Sequence, residues 1–171
     1  MKLVSPLAAA LSSALLLSIV TGCGGSSPSA PPTTPSKDEA RAETPAERCL
    51  AIAGAPRERK PDEPAKITAK HILVKYAGAK RAPETVTRTR DEACLRALEA
   101  REKLQEGVSF AEIVSAYSEE PGAATREGSL GSIQRPDVVP AFADAAFELG
   151  RGDVSHVVET DYGFHIIMRT E

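Results

Sequence analysis

Two short runs rich in β-branched residues, each with a histidine, lie at opposite ends of a segment of about a hundred residues. The first run, Ile67 to Tyr76, places His71 on one face of an extended chain and Ile72 on the other. The second run, Gly163 to Arg169, places His165 among isoleucines. Alternation of this kind is typical of β-strands, so the two runs predict the first and last strands of one domain.

Three helix signals lie between these runs. Thr89 followed by Glu92 is a capping box and predicts a helix from Arg90 to about Glu106. Ser109 caps a second helix, and Pro140 occupies the first position of a third, where no amide donor is needed. Further short strands are predicted at 131–134 and 156–159. The order of strand, helix, helix, strand, helix, strand, strand predicts an α+β fold.

The first 22 residues have the features of a bacterial lipoprotein signal peptide. The apolar stretch from Leu7 to Val20 is too short to span a membrane and suits a signal peptide. Small residues precede Cys23 as in a lipobox, which predicts lipidation there; the alternative is an ordinary signal peptide with a chance cysteine. Gly24, rather than aspartate, favours sorting to the outer membrane. We therefore expect a periplasm-facing protein anchored in the cell envelope through lipid on Cys23.

The segment that follows divides by composition. Residues 23–46 are rich in proline and serine without an apolar period, which predicts a disordered tether. Residues 47–66 are predicted to form a short helix, from Ala46 to Ala55 at most, and a linker that prolines interrupt. Residues 67–171 suit a single domain. The formal net charge of −3 and the absence of tryptophan do not favour nucleic-acid binding, and we expect a monomer.

Two cysteines remain after Cys23. Cys49 lies in the predicted short helix, and Cys94 lies near the start of the long helix. An exported protein meets oxidising conditions, so a disulfide between these two cysteines is plausible, and it would attach the preceding segment to the domain. The alternative is two unpaired thiols.

Five motifs occur in an order and at a spacing that resemble the parvulin family of peptidyl-prolyl cis-trans isomerases. They are His71-Ile72-Leu73-Val74-Lys75, Ser118-Glu119-Glu120, Gly128-Ser129-Leu130-Gly131, Pro140-Ala141-Phe142 and Gly163-Phe164-His165-Ile166-Ile167. The resemblance covers residues 67–171. It implies an FKBP-like fold, with helices packed around a four-stranded, mainly antiparallel sheet. It also implies a non-covalent mechanism through a twisted amide, with no cofactor and no metal.

The resemblance assigns the catalytic positions. His71 and His165 correspond to the family's paired histidines, which orient each other through hydrogen bonds. Glu120 stands where phospho-directed members carry a cysteine, which counts against a covalent mechanism. Thr160 matches a hydroxyl of the same network, and Tyr162 stands where some members have serine. The alternative for His71 and His165 is that both are core histidines whose hydrogen bonds are satisfied and that have no catalytic role. The alternative for Glu120 is a solvated acid in a loop.

The resemblance also assigns the substrate-binding positions. Leu130, Val138 and Phe142 correspond to the apolar proline pocket, and Val138 is smaller than the family's methionine. The basic residues Lys75, Lys80 and Arg81 have the spacing of a triad that binds phosphate before proline. The alternative for these cations is a solvated charged loop.

The sequence therefore predicts an isomerase that acts on X-Pro bonds of unfolded or exported polypeptides, with a preference for an acidic or phosphorylated residue before proline. Export makes an acidic residue the simpler ligand for the basic triad. Two alternatives stay open. One is a foldase or chaperone that holds clients without catalysis, and the other is a phosphopeptide-binding module.

Overall fold

The computed structural model describes residues 42–171. The predicted signal peptide, the lipidation site Cys23 and the tether up to residue 41 lie outside the described residues. Within residues 42–171, no helix combines the length and the apolar character needed to cross a bilayer.

Four antiparallel strands form the sheet that the sequence predicts, in the order β2-β1-β4-β3. The strands are β1 (Ile67–Val74), β2 (Ser129–Ile133), β3 (Val158–Thr160) and β4 (Gly163–Arg169). The first and last strands of the domain are therefore the central pair. Leu73 lies opposite His165 in this pair, and His71 lies two residues before Leu73. Because side chains alternate along a strand, both histidines lie on the same face of the sheet.

Four α-helices and two short 3₁₀ helices surround the sheet. They are α1 (Pro45–Ala53), α2 (Arg90–Gln105), α3 (Phe110–Tyr117) and α4 (Pro140–Glu148), with the 3₁₀ helices Ala124–Arg126 and Arg135–Asp137. The predicted capping boxes form at Thr89 and at Ser109. A third capping box at Thr44 starts α1 at Pro45, so the prediction that the tether extends to residue 46 is wrong by two residues.

The strand boundaries differ from the predicted ones by two residues at several ends. β1 ends at Val74, not at Tyr76, because side chains bind the backbone of Lys75. Its amide donates to the Glu119 carboxylate at 2.7 Å, and its carbonyl accepts from Arg88 at 2.8 Å. β2 begins two residues earlier than predicted and β3 two residues later.

Each face of the sheet covers its own apolar core. Ile72 and Val74 of β1 face the core formed with α1, α2 and α3. Ile67 and Ala69 face the other core, which lies under α4. His71 continues the row of Ile67 and Ala69 along β1, so this second core ends at the two histidines.

The helix α1, which precedes the domain, packs on α2 through a disulfide. Cys49 and Cys94 are joined with a Cα–Cα distance of 6.0 Å, and both are buried in the core between these helices. A crosslink between residues 45 positions apart restricts the unfolded chain and so stabilises the fold.

Candidate active site

A cleft of about 740 Å³ opens on the sheet face that carries the histidines, between α4 and the loop after β1. Its size suits a short stretch of extended peptide. Each predicted proline-pocket residue lines this cleft, namely Leu130, Val138 and Phe142. The cleft is also lined by the predicted residues His71, Lys75, Arg81, Glu120, Tyr162 and His165.

The two histidines lie side by side below the cleft, with nearly parallel ring planes and ring centroids 5.4 Å apart. Their Nδ1 atoms are 3.2 Å apart, and the exposed fractions of His71 and His165 are 4% and 5%. Phe142 of α4 meets both rings edge-on, with centroid distances of 5.6 Å to His71 and 5.3 Å to His165. The pair is therefore held between the sheet and an aromatic wall of the cleft.

Hydrogen bonds extend from this pair in both directions. On one side, His71 Nε2 is 2.7 Å from Glu120, whose carboxylate also forms an ion pair with Arg126. On the other side, His165 Nε2 is 2.8 Å from the hydroxyl of Thr160. That hydroxyl oxygen accepts from the backbone N–H of Tyr162 at 3.1 Å. A continuous chain of contacts therefore joins Arg126 to the β3–β4 turn.

The carboxylate at one end of the chain fixes the direction of its hydrogen bonds. An ionised Glu120 only accepts, so His71 donates through Nε2. In a neutral His71, Nδ1 is then an acceptor and receives the Nδ1–H of His165. His165 Nε2 in turn accepts from the Thr160 hydroxyl. Each ring nitrogen has one consistent role in this arrangement, so the pair is orientated as a unit.

Burial and neighbouring charges shift the pKa values of two members of this arrangement, His165 and Glu120. Burial, with a smaller contribution from the neighbouring His71, lowers the pKa of His165 well below its ordinary value. The hydrogen bond from His71 lowers the pKa of the Glu120 carboxyl, burial opposes this shift, and Arg126 adds to the lowering. His165 is therefore neutral and Glu120 ionised at neutral pH.

Stability is expected to fall as the pH drops below about 6.5, because the unfolded His165 binds a proton there and the folded one does not. One such group contributes up to about 1.4 kcal/mol per pH unit in this range. Urea unfolding at pH 7.5, 6.5 and 5.5 measures this slope. The change His165→Gln should remove most of it.

The control for this measurement is His156→Gln. The pKa of His156 is also lowered, mainly by burial, but this side chain is more exposed and should contribute less to the slope. The carboxyl of Glu120 contributes little to the slope between pH 7.5 and 5.5, because its pKa lies below the ordinary value of 4.5. An unchanged slope in His165→Gln would contradict the assignment.

The Ser-Glu-Glu motif at residues 118–120 forms hydrogen bonds with the end of β1 through both its backbone and its side chains. The hydroxyl of Ser118 accepts from the Leu73 amide at 3.2 Å, and the amide of Glu119 donates to the Leu73 carbonyl at 2.7 Å. The Glu119 carboxylate pairs with Arg88. These contacts attach the loop after α3 to the end of β1 and place Glu120 beside His71.

Of the three predicted cations, Lys80 and Arg81 lie beside the Tyr162 ring, and Lys75 binds the backbone of Arg81. Lys75 is 4% exposed, its Nζ donates to the Arg81 carbonyl at 2.8 Å, and no carboxylate of residues 42–171 pairs with it. Arg81 has a positive φ of 60°, which an arginine rarely adopts. Lys80 Nζ and the Arg81 guanidinium carbon lie 5.1 and 5.8 Å from the centre of the Tyr162 ring. Lys75 and Arg81 line the cleft, whereas Lys80 does not.

The sequence interpretation missed several residues of the site. Arg126, which pairs with Glu120, belongs to no motif, and its local sequence gives no signal for this contact. Of the cleft wall formed by residues 136–140, only Val138 was assigned to substrate binding. Its other members are the cleft-lining residues Pro136, Asp137, Val139 and Pro140. The proline-rich composition of this stretch could have indicated a rigid wall.

Comparisons with known proteins agree with this geometry. The family model described as Rotamase, PPIC-type PPIASE domain, matches residues 71–171. Peptidyl-prolyl cis-trans isomerase Pin1 of Arabidopsis thaliana is 36% identical over 112 residues, which cover 61% of this chain and 94% of that protein. Foldase protein PrsA of Geobacillus sp. (strain WCH70) is 41% identical over 106 residues, which cover 62% of this chain and 32% of PrsA.

The solved structure of peptidyl-prolyl isomerase ESS1 from Candida albicans has a TM-score of 0.57 at 28% identity, covering 67% of this chain and 66% of that one. The chain spans about a third of the length of the PrsA foldase it matches. The family match covers the whole sheet beyond the start of β1, both histidines and the cleft. The chain therefore belongs to the PPIC-type peptidyl-prolyl cis-trans isomerase, or rotamase, family, whose members are the parvulins.

Proposed function

We propose that this protein isomerises X-Pro bonds of exported polypeptides and prefers a negatively charged residue before proline. The observation that carries the proposal is the combination of two parts in one cleft. An apolar wall that includes Phe142 suits a proline ring, and the buried ammonium of Lys75, which lacks a carboxylate partner among the described residues, suits an anion.

The proposed mechanism needs only binding energy. Rotation about an X-Pro bond has a barrier of about 20 kcal/mol because the amide is conjugated. A cleft that binds the twisted amide more tightly than either planar form lowers this barrier. In this proposal, Phe142 and its neighbours hold the ring, His71 and His165 orientate the polar floor, and ionised Glu120 disfavours the charge separation of the planar carbonyl.

A covalent route has no support in the described residues. Glu120 stands where a thiol would be needed, and both described cysteines are used in the disulfide outside the cleft. A carboxylate that already accepts from His71 and Arg126 is a poor nucleophile, since both partners stabilise its charge. We therefore propose that no bond is formed between enzyme and substrate.

The proposed place of action is the cell envelope. The apolar leader and the lipobox-like cysteine at position 23 support a lipid anchor there. The described fold begins at Thr44, so about twenty residues would separate the anchor from the folded part. In this proposal, the spacing would let a periplasm-facing domain extend away from the bilayer surface.

The preference before proline is tested with peptides that carry alanine, glutamate or phosphoserine at that position. We expect kcat/KM to be about five- to tenfold higher for glutamate than for alanine, because one or two partly exposed ion pairs contribute about 1 kcal/mol. The double variant Lys75→Met/Arg81→Ala, which removes both predicted cations that line the cleft, should reduce this ratio to less than twofold while the rate on Ala-Pro is kept.

Lys66→Ala serves as the control, since Lys66 is exposed and outside the cleft. An equal rate on all three peptides would reject the charge preference and leave a general isomerase. Absence of turnover by the folded domain would reject the catalytic role and favour a module that holds clients.

A further inference from the structure

A segment outside the matched family domain makes a partly buried ion pair next to the cleft, in which Glu63 pairs with Arg135 and also with the exposed Arg59 of its own segment. We call residues 56–64, which connect α1 to β1, the strap. Glu63 of the strap accepts two hydrogen bonds from Arg135, at 2.5 Å from Nε and 2.6 Å from a terminal nitrogen. The Glu63 side chain is only 5% exposed. Two parallel bonds of this type fix both the distance and the plane of the guanidinium.

Arg135 is the residue from which the cleft wall begins. It opens the 3₁₀ helix Arg135–Asp137, and the five consecutive residues 136–140 all line the cleft. The same guanidinium donates to Asp144 of α4 at 2.6 Å and lies over the Phe147 ring at 5.4 Å. Glu63 and α4 therefore hold one side chain between them, directly before the cleft wall formed by residues 136–140.

The strap is also fixed on the side of Glu63 that leads to α1. Towards α1, Arg57 pairs with Glu148, and Lys60 donates to the Glu148 carbonyl at 2.8 Å, at the end of α4. Beyond that, the disulfide joins α1 to α2. The carboxyl of Glu63 stays ionised at neutral pH, because the hydrogen bond from Arg135 lowers its pKa. A carboxylate with so little exposed surface is costly unless it is paired, and Arg135 and Arg59 supply this pairing.

We propose that Glu63 is a positioning residue of the isomerase, which sets the cleft wall 136–140 through Arg135 and thereby the affinity for proline. The strap thus belongs to the functional enzyme, although the family match begins at residue 71. The proposal rests on the isomerase activity proposed above. It assigns the strap a role in substrate binding and none in the rotation step itself.

The test compares the full chain with its Glu63→Gln variant on an Ala-Pro peptide. Glutamine keeps the size of the side chain but loses the charge, so Arg135 keeps only Asp144 as a charged partner. We expect KM to rise about three- to tenfold and kcat to change less than twofold, because the wall moves while the histidine network is untouched. The control is Glu58→Gln, an exposed acid of the same strap, which should leave both constants unchanged.

Arg135→Gln provides the second variant. If Glu63 acts through Arg135, the double variant Glu63→Gln/Arg135→Gln should raise KM no more than Arg135→Gln alone. Titration of a proline peptide, followed by the chemical shifts of residues 136–140, reports the same wall without turnover. This readout separates a failure of the present proposal from a failure of the proposed catalysis.

A purely structural role makes a different prediction. If Glu63→Gln lowers the urea midpoint but leaves KM and peptide affinity within twofold of the original values, the proposal is overturned. It is also overturned if the effects of Glu63→Gln and Arg135→Gln on KM multiply. A rise in KM or a loss of peptide affinity that the double variant does not increase supports it.

Discussion

Replacing Phe142 with alanine is expected to lower kcat/KM on Ala-Pro peptides about 100-fold and to destabilise the domain by about 3–5 kcal/mol. The side chain is 3% exposed, lines the cleft and contacts both histidine rings edge-on. A contact that buries about 100 Å² of apolar surface contributes about 2.5 kcal/mol, which corresponds to about 100-fold in rate if the twisted state makes it fully.

Phe164→Ala separates the two effects. Phe164 is a fully buried phenylalanine of β4 whose side chain faces the opposite core, away from the cleft. Its truncation should destabilise the domain by a similar amount with less than a threefold change in kcat/KM, at a temperature where circular dichroism shows both variants folded. If Phe142→Ala also stays within threefold, the aromatic wall is not the proline-binding surface.

The parts of this fold that the sequence predicts correctly depend on local physics. The capping box of Thr89 and Glu92 and the proline at the start of α4 need only four neighbouring residues, and both appear where expected. Alternation along β1 also predicts which side chains share a face. The C-terminal end of β1 was less predictable. The backbone of Lys75 forms hydrogen bonds with the side chains of Arg88 and Glu119, which are 13 and 44 residues away, instead of continuing the strand pairing.

The site shows the same division between local and distant contacts. Family motifs indicated His71 and Glu120, and the structure places them 2.7 Å apart. Arg126 and Glu63 were missed because a lone arginine or glutamate in a polar stretch has no periodicity, cap or turn to mark it. Their partners are identified only when the chain is folded, since Glu63 meets a residue 72 positions away.

Gly128→Ala is expected to destabilise the domain by about 2–5 kcal/mol and to disturb the histidine pair. Gly128 has a φ of +73°, which costs an alanine about 1–2 kcal/mol. A Cβ there would also lie 2.5 Å from the His71 carbonyl oxygen and 2.8 Å from Val114. Relief of such overpacking typically costs about 1–3 kcal/mol more. Because the Gly128 carbonyl accepts the His71 amide at 2.8 Å, any displacement reaches the active site directly.

Gly131→Ala isolates the contribution of this close approach. Gly131 lies in the same motif with a φ of +66°, and a Cβ there would have no atom within 4 Å. The Gly131→Ala variant should therefore lose only about 1–2 kcal/mol in its free energy of unfolding, the cost of the backbone conformation, and should keep its activity. Urea unfolding and kcat/KM of both variants measure the comparison. Equal losses of stability would mean that backbone conformation alone explains these glycines. A larger loss in Gly128→Ala, with lower activity, would mean that the first glycine of the motif is needed because β2 approaches the backbone of His71 too closely for any side chain.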